Sequence, residues 1–248
     1  MTPLTALIPT LNEERNLPEC IESVKWADEI LVVDSYSTDR TVEISRAAGA
    51  RVLQHPYENS AAQKNWAIPQ ASHEWVLIVD ADERVTPELR SEVEAVVRNS
   101  QTAEPGYWIR RRNYFLGREI RRCGWQRDRV LRLFQRDAGR YVQKWVHAEV
   151  HLSETGTLNG ALVHYSYRTL GDYLGKAERY ATWGARDLFE AGRQSGPLGI
   201  LGHALFKFLK MYVFQRGFLD GVHGLLLCIL GSFTVFLKYA KLWELNRR

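Results

Sequence analysis

The sequence predicts an α/β fold: parallel strands joined by helical crossovers, followed by a helical C-terminal region. Three observations predict it. The first hundred residues alternate short apolar runs with segments of helical spacing, and buried parallel strands read as continuous apolar runs with helices between them. Polar and acidic residues gather directly after those runs, where open α/β sheets bind ligands. From about Thr169 onward the pattern becomes helical and rich in apolar and aromatic residues.

In chain order, Leu4–Ile8 reads as a strand ended by Pro9. Leu17–Val24 has helical spacing, with Pro18 in its first turn. Glu29–Val33 is a second strand, and Thr41–Ala48 a helix stopped by Gly49. Arg51–Gln54 is a third strand, Ala61–Ala71 a weak helix containing Pro69, and Trp75–Val79 a strongly apolar fourth strand. Pro87–Val97 is a helix for which Thr86 supplies a cap. Tyr107–Arg112, Val130–Phe134, Val146–Leu152 and Leu162–Tyr165 read as further strands in a stretch rich in Arg, Tyr and Trp.

The chain has 248 residues, 45% hydrophobic and 25% charged, so it can bury a sizeable core. Its three cysteines, Cys20, Cys123 and Cys228, lack CxxC spacing, which argues against a zinc site or a disulfide framework and fits a reducing compartment. The N-terminal residues have no basic stretch followed by a long apolar one, so no secretory signal is expected and cytoplasmic placement is. The net charge of +4 hides an asymmetry: residues 1–100 carry 9 Lys and Arg against 17 Asp and Glu, residues 101–150 carry 12 against 5. The acidic part can hold a cation; the basic part suits phosphate groups or an anionic membrane face, or is a solvated surface.

Three strand-end clusters carry the candidate chemistry. Asp80-Ala81-Asp82-Glu83 follows the fourth strand. Carboxylates crowded there need positive charge nearby, and a hard divalent cation that also bridges diphosphate oxygens would supply it; taken alone, the tetrad is equally an acidic loop before the next helix. Asp34 opens Asp34-Ser35-Tyr36-Ser37-Thr38-Asp39-Arg40-Thr41, where its carboxylate could accept from a base N–H and Ser37, Thr38 or Asp39 could cap the following helix. Pro9-Thr10-Leu11-Asn12-Glu13-Glu14 follows the first strand, where acids can accept from ribose hydroxyls.

In order and spacing, these segments resemble the family-2 glycosyltransferases of GT-A fold: a Rossmann-like nucleotide-binding sheet flanked by helices. They match the family's Pro-x-x-Asn-Glu-Glu, Asp-x-x-Ser-x-Asp-x-Thr and Asp-x-Asp motifs. The resemblance implies an inverting hexosyltransferase that uses Mg2+ or Mn2+ and a UDP-sugar. It places Pro9, Glu13 and Asp34 at the uridine, Lys64 and Asp80 elsewhere in the nucleotide site, and Asp82 on the metal. Inversion needs a base opposite the leaving group, and Glu149 ranks first and Asp128 second. Relatives show Val-His-Glu; here, in Val146-His147-Ala148-Glu149, the acid stands one position later, and in a strand such a slip turns a side chain to the other face. His147 is a ligand, a phosphate contact or a structural histidine. Arg127, Arg129 and Arg132 could hold a diphosphate or an anionic acceptor, Arg127 and Arg129 by alternation on one strand face.

Gly221–Leu237 is uncharged, at the lower bound for a membrane span. Flanking Lys, Arg, Tyr and Trp favour a helix lying in the interface, and a buried or dimer helix is the alternative. This tail resembles that of lipopolysaccharide-core β-1,4-glucosyltransferases in the same family. That implies UDP-glucose as donor, a lipid-linked oligosaccharide bearing an inner-core heptose as acceptor, and a peripheral position on the inner membrane. The expected organisation is a catalytic domain at 1–168 and a membrane-associating helical region at 169–248, with a homodimer allowed and no nucleic acid among its partners. Transfer to a polyprenyl-phosphate carrier, or a non-catalytic sugar-nucleotide-binding module, is the competing reading. A nucleotidyltransferase is disfavoured, because Pro9–Asn12 has no phosphate-cradling glycine.

Overall fold

The computed structural model describes residues 3–99, 103–142, 150, 152 and 154–247. The chain divides into two compact units, Met1–Arg111 with Arg129–His164, and Arg112–Asp128 with Tyr165–Arg248.

The first unit carries most of the sheet. In chain order the strands are β1 (Leu4–Thr10), β2 (Glu29–Asp34), β3 (Arg51–Gln54), β4 (Trp75–Ile78), β5 (Glu83–Val85), β6 (Gly106–Phe115), β7 (Arg118–Glu119), β8 (Arg129–Gln135) and β9 (Gly156–Tyr167). Their order across the sheet is β3-β2-β1-β4-β8-β6-β9-β5, with β7 paired to β6. The first four strands are parallel, and β8 joins β4 antiparallel. The order therefore reverses between β1 and β4, and a crevice at the carboxyl ends of such strands is where α/β sheets bind ligands.

Both faces of the parallel strands are covered, as their unbroken apolar runs require. Leu4, Ala6 and Ile8 of β1 point to one side, against Leu17, Cys20, Ile21 and Val24 of α1 (Leu17–Val24) and Leu89, Val93 and Val97 of α4 (Pro87–Arg98). Leu7 points to the other, with Leu31, Val33 and Phe134, against Ala61 and Ala67 of α3 (Ser60–Ala67). α2 (Thr41–Ala47) lies on the first side, where Ile44 packs against the same cluster. Most expected elements occur within a residue or two of their predicted bounds. The helix expected over Ala61–Ala71 instead ends at Ala67 and tightens into a 3₁₀ turn, Ile68–Gln70, because Pro69 has no N–H to continue an α-helix. Thr86 caps α4 by accepting from Leu89 N–H at 3.3 Å. Most of the strand expected over Val146–Leu152 lies outside the described residues. Gly160 permits a close approach: a Cβ there would stand 2.4 Å from Leu89 Cα.

The second unit is helical. It contains α5 (Leu170–Glu190), α6 (Pro197–Leu209) and α7 (Gly221–Leu245), with a π turn at Lys210–Phe214 and a 3₁₀ turn at Gly217–Asp220 after α6. Thr169 and Asp172 form a reciprocal capping box on α5. Phe115, Ile120, Cys123, Tyr173, Met211, Leu227 and Cys228 form its core. Buried Asp220 accepts the Arg121 and Arg122 backbone N–H groups at 3.3 and 2.8 Å.

Candidate active site

The loops after β1 and β2 are laced together by the residues of their own motifs. Thr38 N–H donates to Asn12 Oδ1 and Asn12 N–H to Ser37 Oγ, both at 2.8 Å. Glu13 N–H donates to Thr41 Oγ1 at 2.8 Å, Glu14 N–H to Asp39 Oδ2 at 3.1 Å, and Arg40 N–H to Glu14 Oε2 at 3.1 Å. Asn12 and Tyr36 adopt left-handed backbone, φ 55° and 58°, which Asn tolerates and a bulky side chain does not favour. Such cross-links spend polar groups on holding two strand tips in one geometry.

Asp34 is the hinge of this arrangement. It is fully buried, and its carboxylate accepts from Thr10 Oγ1 (3.3 Å), Ser37 N–H (3.0 Å), Ser37 Oγ and Gln54 Nε2 (3.1 Å). Gln63, itself buried, donates to Val33 O and Ser35 Oγ. None of Ser37, Thr38 and Asp39 is the N-cap of α2: that position is Arg40, which makes no side-chain cap hydrogen bond, and Asp39, one residue earlier, accepts from Thr41 N–H and Thr41 Oγ1 at 3.0 and 2.5 Å. Ser37 turns to Asp34 and Asn12 instead.

At the tip of β4 the acids meet cations from distant segments. Asp80 pairs with Lys64 Nζ at 2.9 Å and with Arg132 Nη2. Burial alone would raise the Asp80 pKa, but the Arg132 and Lys64 charges outweigh it and hold the carboxyl well below the usual range. Burial likewise opposes the Arg132 charge, and Asp80 and Glu83 more than restore it. Arg132 is 4% exposed, and its Nε has no hydrogen-bond partner among the described residues. Glu83, fully buried on β5, lies 3.5 Å from Arg132 and 3.4 Å from Arg111, and accepts the Asp80 N–H at 3.0 Å. The positive charge that the acidic tetrad requires is thus supplied for Asp80 and Glu83 by three side chains.

Asp82 faces a different neighbour: His164 Nε2, from β9, lies 3.5 Å from its Oδ2. Among the described residues no group of three or more His, Cys, Asp or Glu side chains could hold a metal. One carboxylate and one imidazole are a small donor set. It fits Mg2+ or Mn2+, which draw their remaining ligands from substrate phosphates and water. Asp80, with both oxygens on cations, is the poorer donor.

The structure therefore brings Lys64, Asp80 and Arg132 together, and separately Asp82 and His164. Pro9 pairs with Val33 in the β1–β2 register, and Glu13 accepts from Asn16 Nδ2 at 2.8 Å. Asp128 belongs to the second unit, where Asn113 Nδ2 donates to its Oδ2 at 2.7 Å. Glu149 and His147 lie outside the described residues. Arg127 ends a 3₁₀ turn, Trp125–Arg127, and β8 begins only at Arg129, so the strand alternation expected of those two arginines does not hold. Arg111 and His164 carried no signal in the sequence: each sits in a strand-like run, and only cross-strand register brings it to an acid.

The comparisons with known proteins agree with this architecture. Residues 5–146 match the family model described as glycosyl transferase family 2. The lipopolysaccharide core biosynthesis glycosyltransferase LpsC of Rhizobium meliloti is 30% identical over 252 residues, 98% of this chain and 92% of the relative. An uncharacterized glycosyltransferase of Rickettsia typhi is 30% identical over 258 residues, 99% and 88% of the two chains. Among solved structures, glucosyl-3-phosphoglycerate synthase from Mycobacterium tuberculosis with Mn2+, UDP-glucose and phosphoglyceric acid superposes with TM-score 0.52. It is 18% identical and covers 79% of this chain and 81% of that one, which is a likeness of fold. The chain belongs to glycosyl transferase family 2, and it is a glycosyltransferase.

Proposed function

We propose that this enzyme transfers glucose from UDP-glucose, with inversion and with a divalent metal, to a heptose of the lipopolysaccharide inner core at the cytoplasmic face of the inner membrane. The observation that carries the donor half is the set of buried cations at the β1/β4 switch point, beside the Asp82–His164 pair. The acceptor half rests on the relation to LpsC along the whole chain. The fold likeness is to an enzyme solved with Mn2+ and UDP-glucose, consistent with the same donor chemistry.

In this reading Pro9 and Glu13 line the uridine, and Asp34 sets the shape of the pocket through its four bonds. Lys64 and Arg132, already desolvated beside Asp80, present fixed positive charge to the diphosphate, so little reorganisation is needed as charge develops there. Asp82, with His164 beside it, would hold Mg2+ or Mn2+, which neutralises the leaving diphosphate. The acceptor hydroxyl attacks the anomeric carbon from the face opposite the diphosphate. Its oxygen forms the new glycosidic bond as the bond to the diphosphate breaks, and its proton passes to Glu149 or Asp128.

The test is transfer from radiolabelled UDP-glucose, with UDP-galactose and UDP-N-acetylglucosamine as controls, to heptose-terminated core lipopolysaccharide. The product is analysed by mass and by the anomeric coupling constant. One added glucose in β configuration is expected. Retention of configuration, or transfer only to polyprenyl phosphate, would overturn the reading.

A further inference from the structure

The second unit exposes apolar surface in a regular pattern. On α6, Leu198, Leu201, Leu205 and Leu209 are exposed, Leu198 at 88%. On α7 the same spacing recurs at Val222, Leu225, Ile229 and Phe233, with Val222 at 68%. Steps of three and four residues place each set on one helix face. The buried residues of α7, Gly224, Leu227, Cys228 and Leu242, lie on the opposite face. No residue of α6 is buried. The turn between the helices adds Phe214 at 76% exposed, with Phe218 and Leu219. Apolar side chains exposed in this number on adjoining helices mark an interaction site.

Charge identifies the occupant. Residues 191–243 contain Arg193, Lys207, Lys210, Arg216, Lys238 and Lys241 against a single acid, Asp220. The Asp220 carboxylate is buried and engaged by the Arg121 and Arg122 N–H groups. Burial, and then the neighbouring Lys210 and Lys238 charges, push the Lys207 pKa down, so these lysines lie close enough to repel one another. A second copy docking about a two-fold axis would set this basic surface against itself. A bilayer with acidic headgroups complements it.

The mode of contact follows from α5. By length and composition, Gly217–Leu245 could cross a membrane. However, α5 packs on α7: Tyr173 Oη lies 3.2 Å from Thr234 Oγ1, and Lys241 Nζ lies 2.7 Å from Glu178. Exposed Glu178, Arg179 and Arg186 ride on α5. A spanning α7 would carry those charges into hydrocarbon at several kcal/mol each. A helix pair lying in the interface immerses only its apolar stripe, to about 5–10 Å.

We propose that α6, α7 and the turn between them form a monotopic anchor for anionic phospholipid surfaces, with the two apolar stripes and Phe214 at the acyl boundary. This deepens the membrane part of the reading above and rests on it, while being independent of the donor sugar. The test is flotation of the full chain with vesicles of phosphatidylcholine alone and of three parts phosphatidylcholine to one part phosphatidylglycerol, at low and high ionic strength. The wild type is expected to float with the anionic vesicles at low salt. Leu205→Glu with Phe214→Glu, and separately Lys210→Ala with Arg216→Ala, should weaken this by at least about tenfold. Thermal melting and UDP-glucose hydrolysis, which do not need the membrane, should stay at wild-type level in both variants, separating failure of the anchor from failure of the enzyme. Equal binding to neutral vesicles, resistance to alkaline carbonate extraction, or a wild-type dimer that Leu205→Glu dissociates would each overturn the proposal.

Discussion

Replacing Glu83 by alanine removes a carboxylate that lies against both Arg132 and Arg111 in the first unit. The side chain is fully buried, 3.5 and 3.4 Å from those guanidinium groups, and it accepts the Asp80 N–H. Breaking a buried pair by deleting one partner costs about 3–5 kcal/mol, because a desolvated charge is left behind. Arg132 keeps Asp80 as partner, which places the cost near the lower end, about 3 kcal/mol. For a chain of this length that lowers Tm by roughly 6–12 °C. Glu83→Gln, which retains an acceptor for the Asp80 N–H, should lose less. The assay is thermal and urea unfolding of both variants, and of Arg111→Gln alone and combined with Glu83→Ala. The combined variant should cost clearly less than the sum of the two. A fall under about 2 °C for Glu83→Ala, or strict additivity with Arg111→Gln, would mean that water screens these charges and the desolvation argument fails.

Other perturbations have defined outcomes. Glu29 accepts from Thr5 Oγ1, Ser72 N–H, Ser72 Oγ and Arg51 Nε; burial raises its pKa, these bonds outweigh it, and the net is a fall from 4.5 to about 2. Its stabilisation is complete above pH about 4.5 and vanishes as pH falls through about 2; the full shift is worth about 3.4 kcal/mol and solvent screening reduces it, so Glu29→Gln should flatten stability in that window by about 2 kcal/mol, read by acid unfolding. Gly160→Ala places a Cβ 2.4 Å from Leu89 Cα and should cost about 1–3 kcal/mol in urea unfolding, because backbone cannot yield as a side chain can. Lys64→Met keeps the volume of a side chain that is 7% exposed but removes its charge; steady-state kinetics should show the KM for the donor raised about 10- to 100-fold, with a smaller change in kcat.

The parallel half of the sheet was legible because its signal is local. β1, β2 and β4 are uninterrupted apolar runs, and α1 buries Leu17, Cys20, Ile21 and Val24 at helical spacing. The same held for the acids after those strands. Their partners were harder to read. In the sequence Arg132 is a basic residue near candidate acids, yet nothing in Val130–Phe134 tells that it crosses to Asp80. β5 has no signature in the sequence, because its three residues include Glu83 and Arg84, both buried. Arg84 is satisfied by carbonyls of Ala81 and Glu83 and by Glu19. Charged residues in a core defeat any reading based on apolar periodicity. His164 reaches Asp82 because β9 lies antiparallel to β5 with Glu83 opposite His164, and that register is a property of the assembled sheet. Asp34 shows the converse: its place at a strand end pointed to ligand contact, while the structure also gives it four protein donors.

In the proposed function the Asp82 side of the acidic cluster serves the metal and the Asp80 side serves fixed cations. Calorimetric titration of UDP into the wild type, Asp82→Asn and Asp80→Asn, each with and without Mn2+, tests it most directly. Mn2+ is expected to tighten UDP binding to the wild type, and Asp82→Asn to abolish that gain while keeping the metal-free affinity. Asp80→Asn should keep the gain. A Mn2+ effect that survives Asp82→Asn, or disappears only with Asp80→Asn, would contradict it.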